Sequence, residues 1–226
     1  NLLKIITLIL ALLILFIGYF SYFGITTSKF NSIIKDKIKN QNENLDINLK
    51  KVKLHLDLKN ISIKIKTKNP KIIINNSDKI ELNEVSTNIL LSSYFQNKFA
   101  IKNLSINSKN NDIRSYINFY RLINNNLQLI LLNQFLKSGV AAINADLNFD
   151  DNGKIKNDYN LTGKILNAKL QLPKKKNIDE LNFSFIIKDK NYNFEKIHFK
   201  FNKIKFNSQN LNIQKKNEKF FVKGDL

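Results

Sequence analysis

The sequence predicts a mainly β protein with one N-terminal transmembrane helix and a short helical interruption between two β regions. Three observations lead to this fold class: an uncharged apolar run near the N-terminus, strict alternation of apolar and polar residues from residue 45 onward, and helical spacing between residues 111 and 138. Such alternation is typical of sheets with one apolar and one solvated face. We therefore expect most of the chain to form such sheets.

The apolar run covers residues 5–25 and contains no charged side chain. About 21 helical residues at ~1.5 Å each span ~31 Å, which is the thickness of a bilayer core. Tyr19, Tyr22 and Phe23 cluster at one end, as aromatic residues do at a membrane interface, and Lys4 flanks the other end. The alternative is a cleaved signal peptide. We favour an anchor, because no small-x-small site follows and the run is long for a signal peptide. Lys4 in the short N-terminal flank favours an N-terminus inside.

Two further segments show helical spacing. Apolar residues from Phe30 to Ile38 share one face, which predicts a juxtamembrane amphipathic helix that either lies on the headgroups or closes one end of the β-domain. A second helical segment is expected to stop at Gly139, and Asp151-Asn152-Gly153 marks a hairpin after it. The expected organisation is an anchor at 1–25, an amphipathic helix at 26–41, a first β-module at 42–110, a helical segment at 111–138, and a second β-region at 139–226 that continues beyond the chain end.

The candidate functional residues are large apolar side chains on the inward phase of the predicted strands. Two interpretations stay open: the closed core of a β-sandwich, or an open groove for acyl chains. Many short strands, little helix to cover them and successive inward Phe residues favour the groove. Because acyl burial contributes ~0.8 kcal/mol per methylene, such a groove holds lipid without specific chemistry. The groove candidates are Leu45, Ile47, Leu49, Val52, Leu54, Leu56, Ile61, Ile63, Ile65, Leu147, Phe149, Leu161, Phe183, Phe185, Phe199 and Phe201.

The sequence lacks the residue patterns that are typical of enzyme active sites. The chain has no cysteine, which excludes disulfides, thiolate metal sites and a cysteine nucleophile. His55 and His198 are its only histidines, and both fall on the polar phase of predicted strands, where a surface position is the ordinary interpretation. No nucleophile elbow, phosphate-binding glycine loop or zinc-protease motif is present. We expect no catalytic residue, no metal and no cofactor.

The net charge is strongly positive, with 37 Lys and Arg residues against 18 acidic residues and a formal charge of +19. Lys, Asn and Ile share AT-rich codons, so part of this excess reflects composition. The aromatic residues lie on the apolar phase of the strands, away from the lysines, and Arg114 and Arg121 are the only arginines. Nucleic-acid readers depend on arginine and on aromatic side chains placed beside the charge. We therefore expect no nucleic-acid partner.

The order of anchor, short helix and alternating strands resembles the AsmA-like family of envelope proteins, which includes the TamB and YhdP types. The segments that carry the resemblance are the helix at 29–34, the strands at 45–49, 52–54 and 99–106, and a strand-then-glycine texture at 159–165 and 221–224.

The resemblance implies an elongated, curved β-groove on a single-pass anchor in the inner membrane of a Gram-negative bacterium, with the bulk of the chain in the periplasm. Its partners would be membrane lipids, either phospholipid or lipopolysaccharide, and other envelope proteins. Its role would be passive conduction of phospholipid toward the outer membrane, which contributes to outer-membrane biogenesis. Since 226 residues are too few to bridge two membranes, two alternatives stay open. One is a lipopolysaccharide-export subunit of the LptC type, and the other is an anchored scaffold or assembly factor with a closed core.

Overall fold

One open antiparallel sheet organises the chain. The computed structural model describes residues 2–96, 100–124, 126–216 and 219–225. Within them, 14 strands join a single sheet, and every pairing is antiparallel. The predicted fold class is confirmed: a mainly β chain with one N-terminal apolar helix and a large open sheet consistent with a curved groove. Phe99, which the sequence placed in a strand, lies outside the described residues.

Five α-helices and one 3₁₀ turn accompany the sheet in the described residues. The helices are α1 (Leu2–Tyr22), α2 (Asn31–Gln41), α3 (Leu91–Phe95), α4 (Ile113–Ile123) and α5 (Leu127–Phe135), and the 3₁₀ turn is Pro173–Lys175. The strands are β1 (Ile25–Thr27), β2 (Leu45–Asn48), β3 (Val52–Asp57), β4 (Ser62–Lys68), β5 (Lys71–Ile74), β6 (Asp78–Leu90), β7 (Ile101–Ser108), β8 (Asn111–Asp112), β9 (Leu136–Asn148), β10 (Asn160–Leu172), β11 (Lys176–Lys188), β12 (Asn191–Phe201), β13 (Ile204–Lys216) and β14 (Lys219–Gly224).

The main path through the sheet follows the order β1-β3-β4-β6-β7-β9-β10-β11-β12-β13-β14. A short branch, β2-β5, pairs with the first part of β6, and β8 pairs with β9. From β9 onward each strand pairs with the next strand along the chain, so the C-terminal half is a meander. Helix α3 lies between the paired strands β6 and β7, and α4 and α5 lie between the paired strands β8 and β9, whereas α2 lies between β1 and β2, which do not pair.

Helix α1 is long and apolar enough to cross a membrane. It has 21 residues, a mean hydropathy of 2.6 over its most apolar window, and no buried residue. Signal sequences share these properties, so length and composition alone establish only the capacity to span. The charged residue Lys4 stands near its start, and none of its residues is acidic.

The register of the sheet places apolar side chains opposite apolar side chains across successive strands. Paired residues in an antiparallel ladder point to the same face, so the register defines one continuous apolar face. The pairs that carry it across the middle of the sheet are Leu54↔Ile65, Ile65↔Thr87, Thr87↔Leu104, Leu104↔Leu147, Ala145↔Leu161, Leu161↔Ile187, Phe185↔Phe194 and Phe194↔Leu211. We call this surface the apolar face and the opposite surface the polar face.

Bulges keep the apolar face continuous where the alternation of the sequence slips. The register of β10 shifts between Ile165 and Ala168, where Asn167 has a φ of 50°. A similar left-handed residue, Lys196 with a φ of 53°, lies between Phe194 and Ile197 on β12, where the register of β12 with β11 shifts. One extra residue in a strand restores the phase, and the apolar residues after it return to the same face.

Helix α4 covers part of the apolar face and closes a core beneath it. Its Tyr116, Phe119 and Leu122 pack against the buried residues Ile74, Ile80 and Leu82. The buried residues of a second cluster are Ile117, Leu136 and Ala168, against which Ile113, Ile165, Leu170 and Leu181 pack. The strong amphipathic pattern of α4 explains the arrangement, because its apolar stripe meets the sheet while Arg114 and Arg121 flank it.

The structure differs from the sequence-based expectation at three places in the chain. Residues 25–27 form β1 instead of starting a helix, because they pair with β3. Helix α5 ends at Phe135, and Gly139 lies inside β9 rather than terminating the helix. The hairpin at 151–153 is present, but Ile155 makes only an isolated bridge to Phe149, and regular pairing resumes at Asn160.

Gly139 instead serves close packing between α4 and the sheet. Its φ is 148°, and a Cβ atom there would lie 2.6 Å from Ile113 Cδ1 and 2.9 Å from Ala168 Cα. We expect Gly139→Ala to lower the free energy of unfolding by about 1–3 kcal/mol, through overpacking and a disfavoured φ. Urea denaturation followed by circular dichroism would measure this change. Ser138→Ala, at an exposed neighbouring position, is the control and should stay within about 0.5 kcal/mol. An unchanged midpoint for Gly139→Ala would contradict the packing role.

Candidate functional site

The strands of the sheet have two ends that differ in what covers them. Thr27 pairs with Val52 and Ile25 with Leu54, so α1 leaves β1 in the direction of Leu56 and the β3–β4 turn. We call this direction the anchor end of the strands. In the opposite direction, β9 extends to Leu136 beneath α4, and we call this the helix end. Helix α4 therefore caps the end of the apolar face that points away from α1.

Eleven of the sixteen candidate residues lie on the apolar face. Their register partners are themselves mostly apolar, and their side chains are buried or half-buried. The structure brings together on this face Val52, Leu54, Leu56, Ile63, Ile65, Leu147, Leu161, Phe183, Phe185, Phe199 and Phe201. Whether they contact lipid stays a prediction.

The other five candidates lie off the strands of the main path, two of them on the β2-β5 branch. Leu45 and Ile47 lie on the β2-β5 branch, where Leu45 packs into the core closed by α4. Leu49 follows the end of β2, and Ile61 lies in the β3–β4 turn with 62% of its surface exposed. Phe149 follows the end of β9 and bridges to Ile155. Alternation alone does not distinguish these positions, because a turn residue next to a strand continues the same pattern.

The same face contains residues that the sequence-based candidate set omitted. They occupy the strands between and after the chosen ones and carry the same two-residue alternation, so the signal was available. The omitted residues include Val85, Ile89, Leu104, Ile106, Ile143, Ile165, Ile187, Tyr192, Phe194, Leu211 and Ile213.

Aromatic side chains form the floor of the face on β11 to β13. The rings of Phe183 and Phe194 meet edge to face with centroids 5.7 Å apart, and those of Phe199 and Phe206 stack at 5.1 Å. Phe185 lies over Gly163, where a Cβ atom would come within 2.6 Å of its ring. A glycine opposite a phenylalanine lets the ring lie flat on the neighbouring strand. This part of the face is therefore lined by aromatic rings.

The helices cover only part of the apolar face. In the described residues, the substantial contacts of α4 and α5 are with β5, β6, β8, β9 and β10. Farther along the sheet, Phe206, Phe220 and Val222 are exposed although the register assigns them to the apolar face. The face is thus a closed core under α4 and an accessible surface beyond it.

An apolar mouth opens at the anchor end of β9 to β12. It is a cavity of about 420 Å³ lined by Leu147, Ile155, Lys156, Asn157, Tyr159, Leu161, Ile187 and Tyr192. This volume lies within the range of small-ligand sites. Burial raises the pKa of the Tyr159 hydroxyl, and Tyr192 and Asp189 add to the effect. The hydroxyl of Tyr159 is therefore a neutral donor at the edge of an apolar cavity.

The polar face is built from amides and ion pairs. Asn83 Nδ2 donates to Asn107 Oδ1 at 2.6 Å, and Asn107 Nδ2 donates to Asn144 Oδ1 at 2.6 Å, a ladder across neighbouring strands. At the β5–β6 hairpin, the hydrogen bond and charge of Lys71 lower the pKa of the Glu81 carboxyl, with smaller effects of Lys109 and Lys79. These groups face water, as the solvated side of such a sheet requires.

The two histidines and a polar cleft that runs across β9 to β13 do not assemble a reactive site in the part of the chain that the structure describes. His198 Nδ1 lies 2.7 Å from Asn207 Oδ1 on the polar face, and His55 also points to that face. The cleft, of about 590 Å³, contains the ion pairs Lys169–Asp179 and Lys200–Glu180. Over the part of the chain that the structure describes, no group of three or more His, Cys, Asp or Glu residues could hold a metal ion.

Comparisons with known proteins leave the family open. No family model, no curated protein and no solved structure matches this chain.

Proposed function

We propose that this chain is an inner-membrane-anchored periplasmic protein of the AsmA-like type that binds lipid on its apolar face and passively conducts phospholipid between the inner and outer membranes. The observation that carries the proposal is one apolar face that continues across the whole strand path and stays accessible beyond α4. Large contiguous apolar patches are rare on monomeric soluble proteins, and they mark binding surfaces.

The dimensions of the face suit an extended apolar ligand. Eleven strands on the main path, spaced ~4.8 Å apart, give a contour of roughly 48 Å across the sheet. An acyl chain gains ~0.8 kcal/mol for each methylene that it buries, so affinity accumulates along the surface without a dedicated polar site. Passive sliding follows, because equivalent apolar positions succeed one another along the path.

The position of the mouth supports exchange with a membrane. The mouth opens at the same end of the strands as α1, whereas α4 caps the other end. Lys156 and Asn157 stand at its rim, where a phospholipid headgroup would remain in water while its acyl chains contact Leu161 and Ile187. Small-ligand sites are typically apolar cavities with a few polar groups that fix the orientation of the ligand.

A second candidate function is an anchored scaffold with a closed core. The two buried clusters beneath α4 favour it, because they are ordinary packed core. The candidates differ at β11 to β13, where only the groove proposal requires lipid on the face.

Site-specific photocrosslinking on β11 tests the proposal. A benzophenone amino acid would replace Phe185, on the apolar face, or Ile186, its neighbour on the polar face, in the full chain within native membranes. Both positions lie on one strand, so only the face differs. We expect irradiation to attach lipid at position 185 and not at position 186. Mass spectrometry of the adduct would identify it, and lipopolysaccharide in place of phospholipid would favour the export-subunit alternative.

Equal labelling at the two positions, or no lipid adduct at position 185, would reject the groove and leave the closed-core scaffold. Lipid that surrounds α1 is too far from position 185 to be crosslinked there. Helix α1 packs on β3, and five strands of the sheet lie between β3 and β11: β4, β6, β7, β9 and β10.

A further inference from the structure

The turn between β3 and β4 exposes apolar side chains beside the anchor helix. Leu58 and Ile61 have 55% and 62% of their surface exposed. The Asp57 carboxylate holds the turn in shape: it accepts from Asn60 Nδ2 at 2.7 Å and from the backbone N–H groups of Lys59 at 3.0 Å and Asn60 at 3.2 Å. The turn is therefore a formed structure that presents two apolar side chains outward.

Ile61 occupies a backbone conformation that suits other residues better. Its φ is 46°, in the left-handed region, where glycine and asparagine are favoured and β-branched residues are rare outliers. Asn60, the preceding residue, is of a type that adopts the left-handed conformation more easily, yet Ile61 is the residue that adopts it. If the turn faced only water, an isoleucine here would cost conformational energy and would bury no apolar surface in return. Observed strain of this kind points to a functional constraint.

The turn lies against the C-terminal end of α1. Ser21, in the last turn of α1, shares a cleft of about 650 Å³ with Leu56, Leu58 and Lys59. The packing continues at Gly24, where a Cβ atom would lie 2.9 Å from the His55 ring. The turn tip is therefore fixed next to the point where α1 ends.

Positive charge surrounds the same place. Lys59 belongs to the turn, and Lys64 and Lys66 line the cleft beside α1 together with His55. Lys66 pairs with Glu84 at 2.6 Å, and Asp57 is the acidic residue of the cleft itself. Apolar side chains flanked by lysine are typical of surfaces that rest on anionic headgroups.

We propose that the β3–β4 turn is a second membrane contact, in which Leu58 and Ile61 enter the boundary between headgroups and acyl chains while Lys59 and Lys64 meet anionic headgroups. The partner is the bilayer that α1 crosses, so the inference rests on the anchoring part of the proposed function. A contact at the turn fixes the orientation of the N-terminal strands relative to the bilayer, which one helix alone leaves free to rotate.

Tryptophan fluorescence tests the contact, because the chain contains no tryptophan. Three single-tryptophan variants of the full chain would be reconstituted into phosphatidylcholine–phosphatidylglycerol vesicles, with or without brominated acyl chains. Ile61→Trp reports on the turn, and Ile9→Trp reports on the middle of α1. Ile186→Trp is the matched control, because Ile186 is 39% exposed and lies on the polar face of β11.

We expect brominated acyl chains to quench the fluorescence of Ile9→Trp and Ile61→Trp strongly and to leave that of Ile186→Trp unchanged. The emission of Ile61→Trp should also shift to the blue when vesicles are present. Removing phosphatidylglycerol or raising salt should weaken the quenching of Ile61→Trp and leave that of Ile9→Trp, since only headgroup attraction is screened.

Quenching in Ile9→Trp without quenching in Ile61→Trp would overturn the second contact and leave the anchor intact. Absence of quenching in both variants would overturn the anchor and the contact together. Neither result decides whether lipid binds to the apolar face, which the crosslinking experiment at Phe185 tests independently.

Discussion

Ile187→Lys is expected to reduce the lipid retained by the protein by at least about tenfold, whereas Ile186→Lys should leave it unchanged. The two residues are identical in type and adjacent on β11. Ile187 pairs with Leu161 and Tyr192 and lines the apolar mouth, while Ile186 pairs with Thr162 and Asn193 on the polar face. Loss of contact with only two methylenes, at ~0.8 kcal/mol each, already corresponds to about tenfold in affinity.

Quantitative mass spectrometry of lipid extracted from the purified full chains would measure this effect as moles of lipid per mole of protein. Circular dichroism and urea denaturation of both variants establish that each is folded. Phe199→Lys and Leu147→Lys, which also place a charge on the apolar face, should behave as Ile187→Lys does. Equal retention in the two neighbouring variants, both folded, would show that the mouth does not hold lipid.

Ile74→Ala is expected to have the largest effect on stability, a loss of about 2–5 kcal/mol in the free energy of unfolding. Ile74 is fully buried, at 0% exposure, in the cluster with Ile80 and Leu82 beneath α4. Removal of the side chain beyond Cβ leaves a cavity that the rigid sheet cannot fill. Ile73→Ala is the matched control, because Ile73 is the half-buried neighbour on the other side of β5.

Urea denaturation would give both values, with an unchanged denaturant dependence as evidence that only stability has changed. Under conditions in which Ile74→Ala remains folded, its retention of lipid should equal that of the wild type, because the cluster under α4 is closed core. If part of the protein unfolds and the retained lipid falls by the same fraction, the cluster is still closed core, because each folded molecule retains as much lipid as the wild type. A loss in fully folded protein would instead place the cluster in the groove.

The alternating pattern predicted the apolar face because successive side chains of a strand point to opposite faces. The face of each residue therefore follows from its nearest neighbours in the sequence. Leu54, Leu147 and Phe185 could each be assigned from a few neighbours in the sequence, and the register of the sheet then brought them together. The helices at 113–123 and 127–135 were predictable for the same reason, from their helical period. These are the parts of the fold that depend on local chemistry.

Long-range pairing was not predictable from the same signals. Leu45 has the pattern of a groove residue, yet β2 pairs with β5 and carries it under α4, although β3 and β4 lie between these two strands in the sequence. The sequence predicted a helix end at Gly139, because the close packing of Ile113 and Ala168 against this glycine depends on the tertiary structure. The bulge at Lys196 escaped as well, because lysine gives no indication of a left-handed conformation.

The meander from β9 to β14 has a consequence for how the protein acquires its shape. Each of these strands pairs with the one made just before it, so the contacts that hold the segment are close in sequence. Contacts of this kind form quickly, and they can form in the order of synthesis. The sheet can therefore lengthen one hairpin at a time on a template that is already complete. Insertion or loss of a whole hairpin in this segment would change the reach of the protein by ~9.6 Å, two strand spacings, without unpairing the strands that precede it.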